Sequence, residues 1–186
     1  MRTIFSTGTP GNRMKGKTIF VTGGARSGKS QFALTEASKS AGKRAYVATA
    51  QDGDEEMRRR IEHHQRQRGQ EWTTHEEPLE IVPLIERIRA DCSVILVDCL
   101  TLWLSNLMQS GMDVKAETEH LVSALNGQHP PIYIVSNEVG MGIVPGDTLT
   151  RRFRDLAGFL NQEIAAAADE VYMTVAGIPI KIKGGA

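Results

Sequence analysis

The sequence predicts an α/β fold in which helices cover a mostly parallel β-sheet. Apolar runs rich in β-branched residues recur along the chain, and amphipathic stretches of helical period separate them. The chain has 186 residues, so one compact domain is expected, over residues 17–186. A mobile arm is expected over residues 1–16, because this stretch carries Gly, Pro, Thr and Arg but no apolar region typical of a secretory signal.

The short apolar runs predict the strands. Five are expected, at Thr18–Thr22, Arg44–Thr49, Ser93–Asp98, Ile132–Ser136 and Glu170–Val175. A sixth run, Ile178–Lys183, follows a turn marked by Gly177 and Pro179 and alternates Ile with Lys. This pattern predicts a strand that lies antiparallel at an edge of the sheet.

The helices follow from a change of period. The clearest has a stripe with steps of three or four residues, made of Leu149, Phe153, Leu156, Leu160 and Ile164. Lys29–Ala41 predicts a second helix that ends at Gly42, a residue type common just after a helix. Leu79–Arg89 predicts a third, in which Pro83 would remove a hydrogen bond if it lay beyond the first turn.

Charge and cysteine content limit the function classes. The chain carries 22 basic and 22 acidic residues, which argues against a cationic protein that binds nucleic acid or membranes. No apolar run is long enough for a membrane span. Cys92 and Cys99 bracket a predicted strand, roughly 23 Å apart in extended chain, beyond disulfide reach. Both are expected as thiols of a cytoplasmic protein.

A phosphate-binding motif follows the first predicted strand directly and leads into a predicted helix. The sequence GGARSGKS matches the pattern G-x-x-x-x-G-K-S/T. Backbone N–H groups of such a turn surround a phosphate at the helix N-terminus, Lys29 would reach the outer phosphates, and the Ser30 hydroxyl would ligate Mg²⁺. The candidate nucleotide-binding residues are Gly23, Gly24, Ala25, Arg26, Ser27, Gly28, Lys29 and Ser30.

An acid at the end of a neighbouring strand would complete this magnesium site. Asp98 ends the apolar run Val94–Val97, so it is the expected second ligand, together with Ser30. An Asp in this position is also a common strand cap, and the P-loop is what favours the metal role.

Residues 54–68 predict a helix with acids in its first turn. Met57, Ile61 and His64 share one face, whereas His63 is rotated by about 100° from it. Of the two adjacent histidines, His64 is therefore the one that faces the body of the protein. A half-buried histidine without chemistry is the alternative.

The motifs together resemble the bifunctional adenosylcobinamide kinase / adenosylcobinamide-phosphate guanylyltransferase family of cobalamin biosynthesis. The blocks that carry the resemblance cover everything after the arm. They are GGARSGKS at 23–30, ATAQ at 48–51, DEEMRRRIEHHQRQR at 54–68, WTTHEEP at 72–78, VDCLTLWLSNL at 97–107, SNEVGMGIVP at 136–145 and RRFRDLAGFLNQ at 151–162.

The resemblance implies an enzyme with a RecA-like P-loop sheet and two activities. It would phosphorylate adenosylcobinamide with ATP or GTP and Mg²⁺, then take GMP from GTP onto a histidine and pass it to adenosylcobinamide phosphate. The product is adenosylcobinamide-GDP. The family also implies a homotrimer.

The resemblance also implies a nucleophile and further nucleotide contacts. The histidine of the family's R-I-x-x-H block falls on His64, and the adjacent His63 is the fallback. Nucleotide contacts beyond the P-loop fall on Thr49, Ala50, Gln51, Gln65, Arg66, Gln67, Arg68, Glu76 and Asp98. Arg68 could pair with phosphate, and the Glu76 carboxylate could accept hydrogen bonds from guanine, although a surface acid is its plain alternative.

Other polar and aromatic residues are less specific. Asn137 and Glu138 follow the fourth predicted strand, where ligands of open α/β sheets collect. The run Arg151, Arg152 and Arg154 is typical of a solvated helix face, and Trp72 and Trp103 of core or subunit contacts. Two alternatives to the bifunctional enzyme remain, a monofunctional P-loop kinase of small molecules and a regulatory module that binds nucleotide without transferring it.

Overall fold

The computed structural model describes residues 16–51, 69 and 71–185. Within these residues the chain forms one seven-stranded sheet and five helices. The strands are β1 (Thr18–Gly23), β2 (Arg44–Ala48), β3 (Trp72–Glu76), β4 (Val94–Asp98), β5 (Ile132–Asn137), β6 (Glu170–Val175) and β7 (Ile178–Lys183). The helices are α1 (Lys29–Ala37), α2 (Ile81–Ile88), α3 (Leu100–Gln109), α4 (Val114–Asn126) and α5 (Thr148–Ala167).

The strand order confirms the predicted α/β class. It is β3-β2-β4-β5-β1-β6-β7, and every neighbouring pair is parallel except β6 and β7. The antiparallel edge strand expected at Ile178–Lys183 is therefore present, with the same bounds. Since the other six strands run in one direction, their carboxyl ends lie along one edge of the sheet.

Alternate strand residues enter two apolar cores. Phe20, Val97 and Ile134 face the core that is covered by α2, α3, α4 and α5. Val21 and Val135 face the opposite core, where Ala33 of α1 packs against them. Because both faces are covered, the central strands are apolar along their whole length rather than alternating.

Three elements were not predicted, for different reasons. The strand β3 has the polar sequence WTTHE at an edge of the described sheet, so it lacks an apolar run. The helix α3 is buried on several sides, from Leu100 to Leu107, which leaves no contrast between an apolar and a polar face. The helix α4 has a readable signal, an Asp113 cap followed by Val114, Leu121 and Leu125 at helical spacing.

The predicted helices differ in detail from those observed. The helix α1 ends at Ala37, and Gly42, with φ of 99°, belongs to the turn before β2. Pro83 is the third residue of α2, where its missing N–H would have had no partner inside the helix. Leu149 does not belong to the buried stripe of α5, because it lies in the first turn and is 67% exposed.

Two predictions fall outside the described residues, namely the arm over residues 1–16, of which only Gly16 is described, and the helix over 54–68. Cys92 and Cys99 are both free, as expected. Among the helices of the described residues, none combines the length and the apolar character that crossing a membrane requires.

An ion pair joins the chain before β1 to the first residue of β6. Lys17 Nζ lies 2.7 Å from Glu170 Oε1, and the Tyr172 hydroxyl donates to Glu170 Oε2 at 2.9 Å. The hydrogen bond from Lys17 holds the pKa of Glu170 below its ordinary value. Lys181 lies 3.4 Å from the same carboxylate, so the pair also connects β6 to β7.

Glu170→Gln tests this ion pair through pH. The pKa of Glu170 is lower in the folded state, so the stabilisation is present above the unfolded pKa and is lost as pH falls through the folded one. We expect the variant to lower the free energy of unfolding by about 1 kcal/mol at neutral pH. Urea denaturation at neutral and at acid pH should show the difference shrink toward zero as the pH falls through the lowered pKa of Glu170. An equal loss of unfolding free energy at neutral and at acid pH would mean that the charge of Glu170 does not stabilise the fold.

Candidate active site

The turn between β1 and α1 has the backbone conformation of a phosphate-binding loop. Arg26 and Gly28 adopt the left-handed region, with φ of 57° and 93°. Gly28 is the N-cap of α1, and within the described residues no side chain caps this helix. The first-turn N–H groups of α1 therefore point toward the turn without a side-chain acceptor, which is the arrangement that binds an anion.

The β6–β7 hairpin supports this loop from one side. Ser27 Oγ lies 2.8 Å from Thr174 Oγ1, and Gly177 N–H donates to the Ser27 carbonyl at 2.9 Å. A Cβ at Gly28 would lie 3.1 Å from Gly177 Cα, so the two backbones are in close contact. Sequence analysis missed Thr174 and the role of Gly177, because their part in the loop depends on β6 lying next to β1.

Lys29 lies inside the loop, at the start of α1. Only 8% of the residue is exposed, and its Nζ donates to the Gly24 carbonyl at 3.1 Å. The ammonium is close enough to the end of β4 to act on the Cys99 thiol, whose pKa it lowers. Burial dominates at that thiol and, together with the Asp98 charge, raises its pKa to about 11. Cys99 is therefore a neutral packing residue at neutral pH.

Asp98 ends β4 at the same edge of the sheet. It is half-buried, and its Oδ2 accepts a hydrogen bond from the Tyr46 hydroxyl at 2.9 Å. Tyr46 therefore holds the carboxylate through one oxygen. Ser30, also half-buried, lies in the first turn of α1. Both are hard oxygen donors of the kind that Mg²⁺ binds.

Buried hydrogen bonds hold the segment that follows β2. Thr49 is fully buried, and its hydroxyl donates to the Cys99 carbonyl at 2.7 Å. Asn106 of α3 donates through Nδ2 to the Thr49 carbonyl at 2.8 Å and to the Pro78 carbonyl at 3.0 Å. One buried amide thus connects the ends of β2 and β3. Sequence analysis missed Asn106 because it did not predict α3.

The remaining site predictions divide into two groups. Ala50 and Gln51 follow Thr49 and become progressively more exposed, and Glu76 is the exposed last residue of β3. These residues lie at the same edge as the P-loop, on the side away from β1. The predicted nucleophile and its neighbours lie outside the described residues. They are His63, His64, Gln65, Arg66, Gln67 and Arg68.

Two residue groups left out of the predicted site have structural contacts. Trp103 is fully buried and donates through Nε1 to the Leu79 carbonyl at 2.8 Å. The Trp72 ring packs edge-on against Tyr46, with centroids 6.3 Å apart. Arg151 donates to the carbonyls of the loop before α5, at 3.0 and 2.6 Å.

A family model decides the identity. Residues 19–182 match the model described as cobinamide kinase / cobinamide phosphate guanyltransferase. The chain belongs to this family. The predicted activity class, an enzyme that is both kinase and guanylyltransferase in cobalamin biosynthesis, is confirmed by this membership.

Curated relatives agree with the cobinamide kinase / guanyltransferase family. The bifunctional adenosylcobalamin biosynthesis protein CobP of Pseudomonas aeruginosa is 44% identical over 166 residues, which cover 88% of this chain and 96% of that protein. The corresponding protein CobU of Escherichia coli is 41% identical over 180 residues, covering 89% and 99%.

Solved structures resemble the chain in fold alone. An ATPase from the type III secretion system of pathogenic bacteria has a TM-score of 0.50 at 13% identity, covering 86% of this chain and 51% of that one. A Pyrococcus horikoshii OT3 protein has a TM-score of 0.56 at 9% identity, covering 92% and 89%. The sheet is of the RecA-like P-loop type, as the sequence predicts.

Asn106→Leu tests the anchor beneath the site. Leu has a similar volume but leaves the buried Thr49 carbonyl and the partly buried Pro78 carbonyl without their donor, and an unsatisfied buried group costs about 1–3 kcal/mol. We expect the free energy of unfolding to fall by at least about 2 kcal/mol, measured by urea denaturation. Gln109→Leu on the same helix is the control, because Gln109 is exposed and, among the described residues, its side chain bonds to Ser105 alone. Equal effects of the two substitutions would contradict the anchor.

Proposed function

We propose that the chain phosphorylates adenosylcobinamide with ATP or GTP bound at Gly23–Ser30, and then transfers GMP from GTP to adenosylcobinamide phosphate through His64. The observation that carries the proposal is the uncapped N-terminus of α1 beside Lys29, with the Asp98 carboxylate two strands away. Such a loop supplies N–H groups and a cation to a triphosphate. Membership of the cobinamide kinase / guanyltransferase family supports adenosylcobinamide as the acceptor of the phosphate.

In the kinase step the P-loop holds and orients the triphosphate. The hydroxyl oxygen of the aminopropanol arm attacks the γ-phosphorus, the bond to the β-phosphate oxygen breaks, and the nucleoside diphosphate leaves. Lys29 stabilises the charge on the transferred group. Ser30 and Asp98 would hold Mg²⁺, which neutralises phosphate charge when bound. Two protein oxygens suit this ion, since Mg²⁺ in such sites takes its other ligands from phosphate and water.

In the guanylyl step His64 acts as the nucleophile. The neutral imidazole nitrogen attacks the α-phosphorus of GTP and pyrophosphate leaves, which gives a phosphoramidate to GMP. A phosphate oxygen of adenosylcobinamide phosphate then attacks the same phosphorus and releases the histidine. One displacement is thereby divided into two, and the product is adenosylcobinamide-GDP.

Residues on the β2 and β3 side would contact the nucleotide away from the P-loop. Thr49, Ala50 and Gln51 follow β2, and the hydrogen bonds of Asn106 hold the start of this segment. The Glu76 carboxylate is an acceptor for guanine N–H groups. Gln65, Arg66, Gln67 and Arg68 complete the proposed contacts, with Arg68 pairing with phosphate.

The proposal includes a homotrimer acting in the cytoplasm, without a nucleic-acid partner. Exposed large apolar side chains include Met141 and Ile143 in the loop after β5, and Ile178 and Ile182 on the strand β7. Exposed apolar patches are typical of subunit contacts. Two free cysteines fit a reducing compartment, and the zero net charge argues against nucleic-acid binding.

His64→Ala separates the two reactions. Incubation of the parent protein with α-labelled GTP should leave acid-labile label on the chain, and the variant should lose this label together with guanylyl transfer. Phosphorylation of adenosylcobinamide should persist, because the P-loop residues are intact. Labelling of the parent should also decline as pH falls through the histidine pKa, since the attacking imidazole must be neutral.

His63→Ala is the matched control and should keep both activities. Label that survives in His64→Ala but disappears in His63→Ala would place the nucleophile one residue earlier. An unlabelled parent protein would leave only the kinase half of the proposal.

Asp98→Asn tests the magnesium role. Asn keeps an oxygen that can accept from Tyr46, but it removes the charge that would bind the metal. We expect kinase turnover to fall by about 100-fold or more at limiting Mg²⁺, with partial recovery at high Mg²⁺. Tyr46→Phe is the control, because it removes the hydrogen bond and keeps the charge, and it should stay within several-fold of the parent. Unchanged Mg²⁺ dependence in Asp98→Asn would leave Asp98 a structural cap.

A further inference from the structure

Asn137 is the last residue of β5, and the strand order puts it near both the P-loop and Asp98. The strand β5 lies between β4, which ends at Asp98, and β1, which ends at Gly23. In the register of the sheet Asn137 is directly opposite Gly23, and Asp98 is opposite Val135. Asn137 therefore lies between the candidate metal ligand and the first glycine of the P-loop.

The alternation of β5 directs the Asn137 side chain to the face of α1. Tyr133 and Val135 belong to the core on the α1 side, whereas Ile132 and Ile134 belong to the other core. Ser136 also faces the other side, since its Oγ lies 3.2 Å from Thr101 Oγ1 of α3. By the period of two, Asn137 faces the side from which α1 presents its N-terminus.

Contacts from three other elements fix the backbone of Asn137. Its N–H donates to Thr101 Oγ1 at 2.7 Å, and its carbonyl accepts from Asn161 Nδ2 at 3.1 Å. The next N–H, that of Glu138, donates to the Gly23 carbonyl at 2.9 Å. Both the N–H and the carbonyl of Asn137 are thus hydrogen-bonded. These bonds fix the backbone position from which its side chain extends.

The neighbouring acid is already engaged. Glu138 Oε1 accepts from Gly140 N–H at 2.5 Å, which caps its own loop, and a carboxylate would repel phosphate. The half-buried Asn137 amide makes no hydrogen bond to another residue in the described part of the chain. Its NH₂ group is a neutral donor that suits a phosphate oxygen.

We propose that the Asn137 carboxamide donates a hydrogen bond to the terminal phosphate of a nucleoside triphosphate bound at the P-loop. The inference rests on the proposed nucleotide site. The P-loop N–H groups would surround the inner phosphates, and Ser30 and Asp98 would hold Mg²⁺, which would neutralise charge on the outer phosphates. A donor between Asp98 and Gly23 therefore meets the γ-phosphate end. No bond to Asn137 forms or breaks, and its role is to hold the group that is transferred.

The test compares triphosphate with diphosphate binding. Calorimetry with β,γ-imido-GTP and with GDP gives both dissociation constants without any corrinoid and without turnover. In Asn137→Ala we expect the imido-triphosphate to bind about tenfold or more weakly, while GDP binding stays within about twofold. Asn137→Asp keeps the shape and all backbone contacts, and it should weaken the triphosphate further because its charge repels phosphate. The same two dissociation constants are measured for Lys29→Ala, which shows how loss of a P-loop group affects each nucleotide.

The outcomes separate this inference from the proposed function. Equal weakening of both nucleotides in a folded variant, or no weakening of the triphosphate, overturns the role of Asn137. The Asp variant decides the matter if the Ala variant does not fold. A parent protein that discriminates between the two nucleotides through Asn137, yet neither phosphorylates adenosylcobinamide nor takes up GMP, supports the inference and refutes the proposed function.

Discussion

Six neighbouring strands of the sheet run in the same direction, so their carboxyl ends form one edge on which the candidate site depends. In spatial order, five of these strands end at Glu76, Ala48, Asp98, Asn137 and Gly23. With about 4.8 Å between strands, Asp98 lies roughly 10 Å along the sheet from Gly23, and Glu76 roughly 19 Å. Groups near β1 can therefore meet phosphates on the P-loop, whereas Glu76 can meet only a distant part of a nucleotide.

This edge is held by polar side chains from the helices beneath it. Asn106 and Thr101 of α3 bind the backbone that follows β2 and ends β5, and Asn161 of α5 binds the Asn137 carbonyl. In the described residues Thr22 Oγ1 and Asn161 Oδ1 are buried side-chain atoms without a hydrogen-bond partner. Each such atom costs free energy of about 1–3 kcal/mol.

Sequence reasoning identified the parts of the molecule whose signal is local. The strands around Val21, Leu96 and Ile134 are apolar because both faces are covered, and the P-loop is a contiguous motif. The contributions of Thr174, Asn106 and Asn161 come from long-range contacts. Each acts on a segment at least 24 residues away in the chain, so no spacing in the sequence reveals it. Even Asn137 was identifiable only as a strand-end residue, because its importance depends on which strands lie beside β5.

The proposed mechanism places two reactions on different phosphorus atoms of similar nucleotides. Lys29, which would reach the outer phosphates, and a donor at Asn137 would both favour attack at the γ-phosphorus, because they would fix the group that passes to the acceptor. Guanylyl transfer instead needs a free approach to the α-phosphorus, nearer the base and sugar. The edge provides this separation, since the residues proposed for the base follow β2 and β3, three and four strands from β1. Substitutions near β1 and β5 should thus act first on the kinase, and those near β3 on guanylyl transfer.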